Sequence, residues 1–186
     1  MLSSVEVLPI KVIKFKQMKV INVHKRKINQ SKASVYKLLN TLSTKDDKIW
    51  PFEKWPAIRF KNGLKVGSEG GHGPIKYTVV SKNYDDGIVF NFINKGFNGN
   101  HTLKVEELSN SEIEISHTIK MKTSGFAVLY WLFVIRWLHD ALIEDAFDKL
   151  ENQFSIQKKE TKYNFWVKFL RMLKNKKSKK HKASSN

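Results

Sequence analysis

The order of apolar and polar positions divides the chain into a strand, a helix, a tryptophan-bearing connection, a series of strands and one long helix. Residues 18 to 28 (MKVINVHKRKI) are rich in β-formers and lead into Asn29 and Ser31, either of which can cap a following helix. In that helix Val35, Leu38, Leu39 and Leu42 recur at i, i+3, i+4 and i+7, one stripe for packing. The stretch from Asp46 to Phe60 holds Trp50-Pro51 and Trp55-Pro56; each proline biases its predecessor away from the helical region, so a short broken helix is expected.

Period-two alternation then takes over. Residues 63 to 82 pass through Gly67, Gly70, Gly71 and Gly73, a bend or bulge, and continue with Ile75, Tyr77 and Val79 on one face. Asp85-Asp86-Gly87 turns the chain into Ile88, Phe90 and Phe92, a hairpin signal. His101, Leu103 and Val105 alternate with Thr102, Lys104 and Glu106. After Ser109-Asn110-Ser111, Ile113, Ile115, His117, Ile119 and Met121 form a long inner face.

A helix is expected from Gly125 to about Phe154. Its first half is apolar nearly all round and therefore has to be enclosed. Its second half has a wet stripe of Arg136, Asp140, Glu144, Asp148 and Glu151 and a dry one of Ile135, His139, Leu142, Ala146 and Leu150. The run GFAVLYWLFVIRWL from Gly125 to Leu138 invites a membrane reading, but a spanning helix needs about 20 apolar residues. Arg136, His139, Asp140, Glu144 and Asp145 intrude first, so a buried helix is the expectation. The whole order is α+β: an antiparallel sheet able to curve around one long C-terminal helix.

Composition refines this picture in four places. A chain of 186 residues, 41% hydrophobic, is about one domain with room for a substantial core. The absence of cysteine removes disulfides, thiolate nucleophiles and thiolate metal sites, and suits a reducing cytoplasm. Residues 1 to 17 interleave lysines with apolar residues without the clean apolar run of an export signal and read as an N-terminal extension. The net charge of +17 is uneven: from Gln157 onward eleven Lys and Arg stand against Glu160, so the tail carries +10 and the rest +7.

Several words in the sequence carry a resemblance. DDKIWPFEKWPAIRF (46 to 60), GGHGPIKYTVV (70 to 80), GNHTLKVEEL (99 to 108), ISHTIKMK (115 to 122) and IRWLHDALIEDAFDKLE (135 to 151) resemble bacterial SRPBCC proteins, relatives of the START lipid-transfer, polyketide cyclase and birch-pollen-allergen types. The likeness spans residues 18 to 154 and implies a helix-grip fold, a curved antiparallel β-sheet wrapped around the C-terminal helix. It implies the holding of a small hydrophobic, lipid-like or polyketide-like ligand in an internal cavity. It carries over no catalytic residue, and fold alone does not settle function.

Periodicity supplies the candidate site. His101, His117 and His139 share the parity of apolar neighbours and are expected to converge on one polar spot, with His72 a further candidate. Apolar walls with a few polar groups are how small-molecule sites are built. Trp50, Trp55, Tyr77, Phe90, Phe92 and Trp131 supply aromatic surface for those walls, or for plain core packing. Asp46 and Asp47, with the tryptophan pair behind them, suggest a lid. No local metal motif such as HExxH is present and no cofactor or metal is expected; no nucleophile or paired interior carboxylate is identifiable, so no catalytic residue is assigned. A cyclase or dehydratase using the same cavity stays open as the alternative.

Residues 155 to 186 form a separate basic segment. Tyr163, Trp166, Phe169, Leu170 and Leu173 recur at helical spacing among Lys162, Lys168, Arg171 and Lys174. That is the pattern of a basic amphipathic helix on an anionic membrane surface. A helix docked on its own domain is the alternative, and nucleic acid has no accompanying motif. The expectation is a cytoplasmic protein, peripheral at the membrane if the tail engages it.

Overall fold

The computed structural model describes residues 17 to 183, with side chains to Lys174. The expected N-terminal extension, apart from Gln17, and the last three residues lie outside the described residues.

Strand β1 (Met18–Ile28) turns Val20, Asn22, His24, Arg26 and Ile28 to one side and leaves Ile21 and Val23 exposed on the other. Helix α1 (Lys32–Leu39) starts at Ser31, whose Oγ accepts from the Ser34 amide at 3.3 Å. It stops at Leu39, although Leu42 remains buried in the turns beyond. The broken helix expected in 46 to 60 is a set of turns instead. The buried Asp47 carboxylate accepts from the amides of Ser43, Ile49 and Trp50 at 2.7 to 2.9 Å, satisfying backbone donors that a helix would have paired. Trp50 fixes the segment from within by donating its indole N–H to the Pro56 carbonyl at 2.9 Å.

Six further strands follow: β2 (Arg59–Phe60), β3 (Glu69–His72), β4 (Ile75–Asn83), β5 (Gly87–Phe92), β6 (Phe97–Ser109) and β7 (Glu112–Thr123). They join β1 in one antiparallel sheet of order β1-β7-β6-β5-β4-β3-β2, so β1 and β2, consecutive along the chain, occupy opposite edges. The β1–β7 register sets His24 directly across from His117. Register shifts between Val79 and Ser81 and between Glu107 and Ser109 mark bulges of the kind that bend a sheet. Strands β6 and β7 approach closely at Gly99 (φ 147°), where a Cβ would meet the Lys120 carbonyl oxygen at 2.2 Å.

The long helix is one column in three parts: α2 (Phe126–Tyr130), a π-helical turn at Trp131–Ile135, and α3 (Arg136–Glu151). The second half is the gripped part, with Leu142, Ile143, Ala146, Phe147 and Leu150 buried. The first half is less enclosed than its composition implied: Phe126 is 76% and Phe133 58% exposed. By length and composition the column Phe126–Glu151 is long and apolar enough to cross a membrane, a test that the core helix of a soluble protein also passes. The expected wet stripe is corrected more sharply. Arg26 of β1 donates to Glu144 at 2.6 Å, Asp148 at 2.7 Å and Glu151 at 3.1 Å, making most of that stripe a polar seam between helix and sheet edge.

Beyond an irregular link, α4 (Phe165–Ala183) returns to pack on α3, burying Val167 and Leu170. Two apolar clusters fill the interior, a large one around Tyr77, Phe147 and Leu150 and a small one around Val20, Ile119 and Trp131.

Candidate functional site

Between sheet and helix lies a cavity of about 650 Å³ whose walls come from both clusters. The sheet contributes Tyr77, His101 and His117; the helix column contributes Trp131 and His139; the turns of 46 to 60 contribute Trp50 and Trp55. His72 and Phe92 complete the predicted residues on its wall. Phe90 does not reach it. It lies one layer out, buried between Phe60 and His101, with its ring stacked on His101 at 4.7 Å between centroids.

The three histidines predicted from parity do come together. His101 and His117 are 8% and 6% exposed, and His101 Nδ1 lies 3.0 Å from His117 Nε2. His139 on α3 faces the pair, its ring centroid 5.0 Å from that of His117. Burial drives the pKa of both His101 and His117 well below the usual imidazole value, and charge on His139 would lower it further. Both rings are therefore neutral, each offering one N–H and one lone pair. Whichever nitrogen donates in the shared bond, the pair is left with one free donor and one free acceptor, at His101 Nε2 and His117 Nδ1. Those two atoms, both ring nitrogens of His139 and the Tyr77 hydroxyl are buried with no hydrogen-bond partner among the described residues. Native interiors seldom leave such groups unpaired.

His72 stands apart from this trio, its ring 4.7 Å from that of Trp50 and its pKa pushed down to about 3, first by burial and then by neighbouring positive charge. Lys174, at the end of the described side chains, also lines the cavity. Its ammonium pKa is lowered by desolvation and by Arg171.

The residues expected on a membrane surface are divided by the docking of α4. Trp166 donates its indole N–H to the Phe133 carbonyl at 2.9 Å. Arg171 lies over the rings of Trp55 and Tyr163, 4.3 and 4.8 Å from their centroids, and donates to the Lys54 carbonyl. Phe169 stacks on Trp166, while Lys168 is exposed. Phe165, 80% exposed, points an aromatic ring away from the domain.

Two polar clusters escaped the sequence reading. His24 Nδ1 lies 2.8 Å from Glu144 Oε1 and its Nε2 3.1 Å from Asp140 Oδ1. Burial pulls the His24 pKa down, but hydrogen bonds to Asp140 and Glu144 outweigh it and the net direction is up. The signal was available: His24 has the parity of Val20 and Ile28, but Ile21 and Val23 give the opposite face an equal apolar weight. The second cluster centres on buried Asp145, which accepts from the Trp55 indole at 2.7 Å, the Tyr163 hydroxyl and the Lys54 ammonium. It ties α3 to the tryptophan turns and to the segment before α4. Nothing local in the sequence separates it from the solvated carboxylates around it.

The architecture, a seven-stranded antiparallel sheet closed on a long helix, is the helix-grip fold. No protein-family model matches the chain, and no curated protein is matched by sequence. Solved structures do match. Norcoclaurine synthase from Thalictrum flavum, in complex with dopamine and hydroxybenzaldehyde, superposes with a TM-score of 0.57 at 13% identity over 83% of this chain and all of that one. A Thermobifida fusca protein solved by NMR gives 0.57 at 14% identity over 77% of this chain and 99% of that one. A Nitrosospira multiformis protein gives 0.56 at 9% over 74% and 97%. At such identities the likeness carries the fold and not the activity.

Proposed function

We propose that this chain is a member of the SRPBCC superfamily that binds and carries a small, mostly apolar molecule in the cavity, with the polar end of that molecule on His101, His117, His139 and Tyr77. One observation carries the reading: among the described residues these four hold five of the seven unpaired buried side-chain polar atoms, and all four line the same cavity of about 650 Å³. That volume is in the range of small-molecule sites, about 300 to 1,000 Å³. Because two of the imidazoles are held neutral, the fitting end group is itself uncharged and both gives and takes a hydrogen bond, as a hydroxyl or phenol does. The same imidazoles could serve as general acid and base, so turnover is the outcome that the test must separate from carriage.

The test is to extract whatever co-purifies with the full chain, identify it by mass spectrometry, and compare its retention in wild type and His117→Ala. Recovery of an unaltered apolar compound, retained less by the variant, is the expected result. Chemical conversion of that compound by the wild-type protein would make the chain an enzyme instead.

A second reading rests on the exposed aromatic surface of α2, the π-helical turn and α4. Phe126, Phe133 and Phe165 are open to solvent, and so is Lys168, a composition that suits an anionic bilayer. Co-sedimentation of the full chain with vesicles containing anionic lipid, lost on Phe133→Ser and Phe165→Ser together, supports it; equal binding to neutral vesicles removes it.

A further inference from the structure

Among the described residues, His24 of β1 and His139 and Asp140 of α3 place one ligand atom each within 4.8 Å of the others. Two of the separations are 3.1 Å, from His24 Nε2 to Asp140 Oδ1, and 3.6 Å, from His139 Nδ1 to the same oxygen. Donors on a tetrahedral ion with bonds of about 2.0 to 2.1 Å stand about 3.3 to 3.4 Å apart. The observed separations bracket that value. We propose that His24, His139 and Asp140 are a binding site for a divalent first-row transition ion of the zinc kind, held by two imidazole nitrogens and one carboxylate oxygen, with at least one position open.

Three features around the set support it. Both ring nitrogens of His139 are buried without a hydrogen bond among the described residues, so one is free to ligate. His24 has its second nitrogen, Nδ1, on Glu144 at 2.8 Å, and the other oxygen of Glu144 accepts from Arg26 at 2.6 Å. A carboxylate behind a ligating imidazole fixes its tautomer and orientation. Asp140 is steadied in turn by the Asn22 amide, which donates to it at 2.9 Å. The competing account is an ion pair of protonated His24 with Asp140 and Glu144. It explains His24 and leaves both His139 nitrogens without a hydrogen bond among the described residues, Nδ1 standing 3.6 Å from Asp140 Oδ1. The ligand set is also chemically selective: one carboxylate with two imidazoles favours zinc, iron, cobalt or nickel over calcium or magnesium, which prefer oxygen. Binding would displace the proton shared by His24 with its carboxylates, so affinity should fall on acidification.

This site shares His139 with the cavity wall, but its test uses no organic molecule. Tag-free full chain carrying His181→Ala, which removes the tail histidine, is titrated with Co²⁺ and read by visible absorption. The expected result is one equivalent bound, with the strong visible bands of four- or five-coordinate cobalt, displaced by Zn²⁺. His24→Gln, His139→Gln and Asp140→Asn should each weaken binding at least tenfold, and Glu144→Gln by about 10- to 100-fold. Absence of stoichiometric binding, or His139→Gln binding like wild type, overturns the proposal. Should a variant lose its fold by circular dichroism, X-ray absorption of the zinc-loaded parent protein decides: two imidazoles in the first shell are expected, and fewer than two overturn it.

Discussion

Acidification should act on this fold through the buried pair His101–His117. Both imidazoles have pKa values lowered well below the usual value, with burial the largest cause, while in the unfolded chain they titrate near 6.5. Below that pH the unfolded state binds protons that the folded state refuses, so the stability present above about 6.5 is lost as the pH falls through it. Each group that stays neutral costs about 1.4 kcal/mol per pH unit, so moving from about pH 7.5 to about 5.5 should cost the pair about 3 kcal/mol. The measurement is urea unfolding at constant ionic strength across that range, for wild type and for His101→Leu/His117→Leu, whose apolar side chains suit the aromatic surroundings. The double variant should lose about 3 kcal/mol less than wild type over the window. His24 supplies a check of sign: its pKa is raised, so its contribution is complete below about 6.5 and lost as pH rises through the folded value. His24→Gln should therefore lose stability more steeply on acidification than wild type. Identical pH dependence in wild type and the double variant would refute the reasoning, because the pair would then be protonated, or exposed, in the folded state.

Other perturbations read other parts of the frame. Asp145→Ala strands the buried Trp55 indole N–H and the Tyr163 hydroxyl at once, and should cost about 3 kcal/mol in chemical denaturation; a loss below about 1 kcal/mol would mean that these donors find other partners. Gly99→Ala should be far worse than Gly63→Ala although both glycines have positive φ. At Gly99 the new Cβ meets the Lys120 carbonyl at 2.2 Å in the β6–β7 ladder, whereas at Gly63 it meets nothing within 4 Å. Thermal unfolding should separate the two by about 2 kcal/mol or more, and equal losses would show that the strands shift apart without cost.

The sequence by itself determined which residues face inward along any one element. Period-two alternation put His101 and His117 on the inner faces of β6 and β7, and helical spacing put His139 on the dry side of α3, where all three are found. The same rule misjudged depth. Phe90 and Phe92 share parity, yet only Phe92 reaches the cavity, because a curved sheet changes what stands opposite each successive inward position. Asp140, Glu144 and Asp148 read as a solvated stripe, since nothing in the helix announces that Arg26 and His24, more than a hundred residues earlier, close over it. Periodicity reports the face of an element and not what packs on that face. Tertiary structure alone decided the seam of β1 with α3 and the return of α4, because each joins elements through contacts that no local pattern announces, whereas the imidazole contact of β6 with β7 crosses a single hairpin.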